Sequence, residues 1–137
     1  FRLGAIFPAA PFPAGADVTL TDVPAALPQL RHNARLNFPA ASAPRVRPLL
    51  WGRDHRLFPP KFHLVLGSDI VYDPRSFSPL LETLGHLLEP PARALLCAPI
   101  RGGAGTARFF RQMLPAAFGV RLLRREAEIE IYGVTPQ

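Results

Sequence analysis

One stretch of the sequence decides the fold class: residues 62–70 read FHLVLGSDI. This near-continuous apolar run is typical of a strand buried on both faces in the middle of a parallel sheet. A second apolar run, ARALLCAP, occupies residues 92–99, and leucines at helical spacing lie between the two runs from Ser76 onward. The order strand, helix, strand predicts a parallel β-α-β unit, with residues 62–70 as its most buried strand.

The sequence N-terminal to this unit repeats the alternation. Residues 17–22 read DVTLTD and predict a strand that ends at Asp22. A helical pattern follows as far as Pro39, and residues 45–51, RVRPLLW, predict a second strand. We therefore expect four mainly parallel strands, with helices on both faces of the sheet.

The C-terminal part differs because two strands follow each other without a helix between them. A helix is predicted from Thr106, and strands are predicted at residues 120–123 and 129–134. Strands joined this closely form an antiparallel hairpin. The expected fold is thus an α/β, Rossmann-like sheet with an antiparallel C-terminal edge.

Composition limits the class of protein. A chain of 137 residues with 48% hydrophobic residues fits one domain with a substantial core. The single cysteine, Cys97, excludes an intrachain disulfide, and no apolar run reaches the ~18 residues of a membrane span. The net charge is +6, but the arginines are scattered along the sequence, which favours a solvated surface over a nucleic-acid-binding face.

Polar and aromatic residues follow the predicted strands at their carboxyl ends, where ligands bind in open α/β sheets. The first strand ends at Asp22, the second at Trp51, and the third is followed by Asp69 and Tyr72. Asp22 suits either a ribose hydroxyl or the N-cap of the next helix. Trp51 suits either an adenine face or the core. Asp69 is either a functional acid or a structural cap, because a buried carboxylate needs partners.

Three stretches resemble a known family. VTLTD at 18–22, LWG at 50–52 and LVLGSDIVY at 64–72 are similar to the seven-β-strand S-adenosylmethionine-dependent protein-lysine methyltransferases. The Asp-x-x-Tyr pattern of that group corresponds to Asp69 and Tyr72. Within the group, residues 17–118 most resemble the elongation factor 1-alpha lysine methyltransferases, with further support from FSPLLETL at 77–84 and FFRQMLP at 109–115.

The resemblance implies roles for five residues. Asp22 would bind the cofactor ribose, Trp51 would pack beside the adenine, and Ser68 would lie beside the cofactor where the family usually has alanine. Asp69 and Tyr72 would be the catalytic pair that lines the channel for the target lysine. The implied cofactor is S-adenosyl-L-methionine, and no metal is expected because the four histidines show no ligand-like spacing with Cys97 or the acids.

The resemblance further implies a cytoplasmic monomer that modifies a protein substrate, elongation factor 1-alpha, with no nucleic-acid or membrane partner. The start of the sequence departs from the family pattern. The family's glycine-rich cofactor loop is expected roughly 20 residues before the ribose acid. Leu3-Gly4-Ala5 resembles a remnant of that loop, but Arg2 and Ile6 replace its acid and a glycine.

This departure leads to expectations about the whole chain. We expect an irregular proline-rich segment at residues 1–16 and a partial methyltransferase domain at 17–137, with the first strand and cofactor loop missing or degenerate. Such a chain would bind the cofactor poorly and be an inactive fragment of the enzyme. The alternative function is a non-catalytic α/β protein-interaction module.

Overall fold

The computed structural model describes residues 16–59, 62–100 and 104–137. They form two compact units with separate sheets, an N-terminal unit that extends to Leu50 and a C-terminal unit over Trp51–Gln137. The predicted remnant at Leu3-Gly4-Ala5 lies outside the described residues. So does the predicted irregular N-terminal segment, except for Ala16.

The N-terminal unit contains strand β1 (Thr19–Asp22), helix α1 (Leu27–Asn37) and strand β2 (Arg45–Pro48). The two strands pair in parallel, and Asp22 lies opposite Pro48. This confirms the strand that ends at Asp22. The predicted extension of the second strand to Trp51 is wrong, because Pro48 offers no N–H to the ladder and residues 51–54 form a turn.

The C-terminal unit contains β3 (Leu64–Ser68), α2 (Phe77–Leu87), β4 (Arg93–Pro99), α3 (Ala104–Arg108), β5 (Gly119–Glu126) and β6 (Ile129–Thr135). Its four-stranded sheet has the order β3-β4-β6-β5. Strands β3 and β4 are parallel, whereas β4–β6 and β5–β6 are antiparallel, so the predicted closing hairpin is confirmed. The second helix, α3, begins ahead of Thr106 and continues as a π-helical turn, Phe109–Met113.

The prediction that residues 62–70 form the most buried strand is wrong. Leu64 and Leu66 on β3 are 50% and 39% exposed, and among the described residues only β4 pairs with β3. The most buried strand is β4, in which Ala94 and Leu96 have no exposed surface. An apolar run shows that both faces of a strand tolerate burial, but it carries no information about which neighbours cover them.

Large apolar side chains fill the core of the C-terminal unit. Phe109 lies against Phe77, and Phe110 stacks on Tyr132 of β6 with ring centroids 4.5 Å apart. Full burial of each such side chain contributes about 1.5–3 kcal/mol. The largest fully buried side chains among the described residues are Leu80, Thr83, Leu96, Phe109, Phe110, Leu114 and Val134.

The described part of the chain holds six strands. None of the helices in that part combines the length and the apolar character of a membrane span.

Candidate functional site at the carboxyl end of β3

The carboxylate of Asp69 is presented directly after β3. The backbone N–H of Asp69 donates to the carbonyl of Cys97 at 2.8 Å, which extends the ladder one residue beyond Ser68. The backbone then enters the left-handed region at φ 56°, a conformation that Asp adopts more readily than most residues. The expectation of a buried carboxylate is wrong: Asp69 is exposed, and no described residue donates a hydrogen bond to it.

Buried residues on either side fix the position of Asp69. Ile70 and Val71 are 6% and 2% exposed, and Thr106 Oγ1 donates to the Val71 carbonyl at 3.0 Å. A Cβ on Gly67 would lie 2.5 Å from Ile70 Cδ1 and 3.0 Å from Leu96 Cδ2. Only glycine therefore lets Ile70 fold back against its own strand, and this close approach carries the chain into the turn at Asp69.

The far end of the same loop is held because Asp73 is the N-cap of the 3-10 turn Pro74–Ser76, which leads into α2. The carboxylate of Asp73 accepts hydrogen bonds from the backbone N–H of Arg75 at 3.0 Å and from its guanidinium at 2.9 Å. These bonds lower the pKa of Asp73, so it is ionised at neutral pH. Tyr72 lies between the two anchors and is 46% exposed. The exposed Asp69 and Tyr72 thus share one loop, which is fixed at both ends.

Asp22 ends β1 in the N-terminal unit and is 6% exposed. Its Oδ1 accepts the N–H of Val23 at 2.7 Å, and no described residue donates to Oδ2. The 3-10 turn Pro24–Ala26 has no side-chain cap, so the alternative role of Asp22 as an N-cap is wrong. That Asp22 meets the residues after β3 at a common edge stays a prediction.

Trp51 lies in a tight turn that contacts helix α2. The N–H of the next residue, Gly52, donates to Thr83 Oγ1 at 2.9 Å, and Gly52 has a φ of 73°. A Cβ on Gly52 would lie 3.1 Å from Pro79 Cβ, so glycine allows the turn to approach the helix closely. Trp51 is half-buried, so part of the indole remains exposed rather than enclosed in the core.

Sequence reasoning missed a histidine cluster between this turn and α2. His55 is 3% exposed, and its Nε2 lies 3.6 Å from Glu82 Oε1. Its ring meets that of His86 edge-on, and His86 Nε2 lies 2.9 Å from the Phe58 carbonyl. No group of three or more His, Cys, Asp or Glu side chains suited to a metal occurs among the described residues. The cluster joins residues far apart in sequence, so spacing offered no signal for it.

A second network missed from the sequence surrounds Glu130 on β6. This residue is 3% exposed and accepts hydrogen bonds from Tyr132 and from Arg125 at 2.5 Å, with Arg111 at 3.5 Å. Burial alone would raise the pKa of Glu130, but the bonds from Tyr132 and the arginines outweigh burial and lower it. Burial and the carboxylate of Glu130 raise the pKa of Tyr132. Glu130 is therefore ionised at neutral pH and stabilises the hairpin.

Solved structures, a methyltransferase among them, share this fold. Human N-acetylserotonin methyltransferase in complex with SAM aligns with a TM-score of 0.60 at 14% identity, over 89% of this chain and 41% of that chain. The PH0226 protein from Pyrococcus horikoshii OT3 aligns with a TM-score of 0.70 at 10% identity, over 90% of this chain and 73% of that chain. These likenesses confirm the predicted Rossmann-like methyltransferase fold.

The sequence defines the family more narrowly. A family model described as lysine methyltransferase matches residues 4–115, so the chain belongs to this lysine methyltransferase family. EEF1A lysine methyltransferase 3 from Mus musculus is 41% identical over 85% of this chain. Protein N-lysine methyltransferase METTL21A from Mus musculus is 36% identical over 86% of this chain. The alignments cover 50% and 55% of these two relatives, so the chain spans about half their length.

Proposed function

We propose that this protein is a protein-lysine N-methyltransferase that transfers methyl from S-adenosylmethionine to a lysine of translation elongation factor 1-alpha. Family membership and the lysine methyltransferase activity for which the relatives are named support this proposal. The observation that carries it is the exposed carboxylate of Asp69, which lacks partners in the described residues although both sides of its loop are anchored. Its oxygens face solvent from a fixed position and are available to a substrate amine.

The residues described are chemically suited to S-adenosylmethionine. Oδ2 of Asp22 is an acceptor for a ribose hydroxyl, as in other nucleotide-binding sheets. The exposed part of Trp51 offers an aromatic surface to adenine, and Ser68 presents an exposed hydroxyl at the end of β3. When bound, this cofactor supplies an electrophilic methyl group on a sulfonium sulfur.

Asp69 has two tasks in this proposal. Free lysine has a pKa of about 10.4 and arrives as an ammonium ion, which the carboxylate attracts. The nucleophile is the neutral amine, so a proton passes to solvent before transfer. Asp69 then accepts a hydrogen bond from the amine and directs its lone pair, while Tyr72 forms a wall of the lysine channel. Because the loop is fixed at Val71 and Asp73, positioning supplies most of the rate.

The proposed substrate also indicates where in the cell the protein acts. A translation factor meets its modifying enzyme in the cytoplasm, and we propose that location for this protein. We further propose that the protein acts as a monomer and has no nucleic-acid or membrane partner. Gel filtration coupled to light scattering should give the mass of one chain, and a dimer mass would contradict the monomer assignment.

The test of this function uses isotopically labelled S-adenosylmethionine with purified elongation factor 1-alpha. Wild type should label the factor on lysine, an outcome that would refute the expectation of an inactive fragment, and Asp69→Asn should abolish labelling. Glu89→Gln is the matched control, because this exposed carboxylate follows α2 and lies outside the site. Labelling of nucleic acid would contradict the proposal. A folded wild type without methyl transfer would favour either the inactive fragment or the alternative, a non-catalytic protein-interaction module; cofactor binding without transfer would point to the module.

A further inference from the structure

Helix α2 presents one buried polar side chain among apolar neighbours. Thr83 is 2% exposed, and the buried residues around it on α2 are leucines and Phe77. A hydroxyl in such a place is costly unless it is hydrogen-bonded. Thr83 Oγ1 donates to the Pro79 carbonyl one turn earlier, at 2.9 Å. The proton is thereby directed along the helix, and a lone pair remains for a donor outside it.

The donor that uses this lone pair is the backbone of the Trp51 turn. The Gly52 N–H meets Thr83 Oγ1 at 2.9 Å, and the left-handed φ of Gly52, 73°, brings the turn this close to the helix. The hydroxyl therefore fixes the peptide that joins Trp51 to Gly52. Rotation of that peptide would move the indole, so Thr83 controls the orientation of Trp51.

The far half of the same loop has attachments of its own. His55 lies beside Glu82, and the Phe58 carbonyl lies beside His86. These contacts do not involve the Thr83 hydroxyl. Loss of that hydroxyl therefore releases the Trp51 end of the loop, while residues 55–58 stay on the helix.

We propose that Thr83 is a positioning residue that holds the Trp51 turn and thereby sets the affinity for S-adenosylmethionine. The cofactor part of this inference rests on the proposed function, whereas the effect on Trp51 does not. Thr83 touches neither reacting atom, so its loss should raise the KM for the cofactor and leave kcat nearly unchanged. The loss of one hydrogen bond corresponds to about a three- to tenfold increase in KM.

The test compares Thr83→Val, which keeps the shape, with Thr83→Ser, which keeps the hydroxyl. Trp51 is the single tryptophan of the chain, so its fluorescence reports on this turn alone. Thr83→Val should increase acrylamide quenching of Trp51 and raise the cofactor KM, and Thr83→Ser should restore both. Ser78→Ala is the matched control, because Ser78 is exposed on the same helix.

The outcomes separate this inference from the proposed function. Unchanged quenching of Trp51 in Thr83→Val would overturn the positioning role, whatever the activity. A lower kcat with an unchanged cofactor KM would also overturn it. If the wild type fails to bind S-adenosylmethionine, the proposed function fails, and the cofactor part of the inference fails with it. The fluorescence comparison then still decides whether Thr83 holds the turn.

Discussion

Substitutions at Asp69 separate its chemistry from the strain of its backbone. Its carboxylate accepts no hydrogen bond from the described residues, so Asp69→Asn should change the free energy of unfolding by less than about 0.5 kcal/mol. Asn tolerates the φ of 56°, and glycine adopts it freely, so Asp69→Gly should also be nearly neutral. Alanine lacks this tolerance, so Asp69→Ala should lose about 1 kcal/mol, or roughly 3–5 °C in Tm.

Activity should follow a different order. All three variants lose the carboxylate, so each should transfer methyl groups at least about a hundredfold more slowly than wild type. Urea unfolding measures the stabilities, and transfer from labelled cofactor measures the rates. Normal turnover in Asp69→Asn would refute the catalytic role. If Asp69→Ala were as stable as Asp69→Asn, the argument from backbone strain would be wrong.

Three further substitutions test the contacts that hold the candidate site and the C-terminal hairpin in place. Gly67→Ala places a methyl 2.5 Å from Ile70 Cδ1 and should cost about 1–3 kcal/mol in urea unfolding; an unaltered midpoint would contradict the packing argument. Thr106→Val removes the bond to the Val71 carbonyl and should cost about 1 kcal/mol and slow methyl transfer, both restored in Thr106→Ser. Glu130→Gln should cost about 1–3 kcal/mol at pH 7. Folding lowers the pKa of Glu130, so the stabilisation from its carboxylate is present above the unfolded pKa and is lost as pH falls through the folded pKa. The difference in free energy of unfolding between wild type and Glu130→Gln should therefore shrink below about pH 4. A difference that stays constant with pH would contradict this argument.

The order of helices and strands was readable from sequence because hydrophobic periodicity is a local property. The repeat in α2 and the closing hairpin each follow from neighbouring residues alone. The surroundings of β3 were not readable in this way. Its apolar residues lie on both faces, yet Leu64 and Leu66, which share one face, are exposed on this edge strand of the four-stranded sheet.

The candidate site, too, was only partly predictable from the sequence. Strand ends and the Asp-x-x-Tyr pattern indicated where Asp69 and Tyr72 would lie, because both features are sequential. The left-handed backbone of Asp69 and the bond from Gly52 to Thr83 were not predictable. The first depends on how Ile70 packs against Gly67, and the second joins residues on separate elements.

The central claim is that Asp69 directs a lysine of elongation factor 1-alpha towards the methyl group of S-adenosylmethionine. Mass spectrometry of that factor, after incubation with the protein and the cofactor, tests this claim most directly. The account predicts that methyl groups appear on lysine with the wild type and Glu89→Gln and are absent with Asp69→Asn. Equal methylation by wild type and Asp69→Asn, or no methylation by a folded wild type that binds the cofactor, would contradict it.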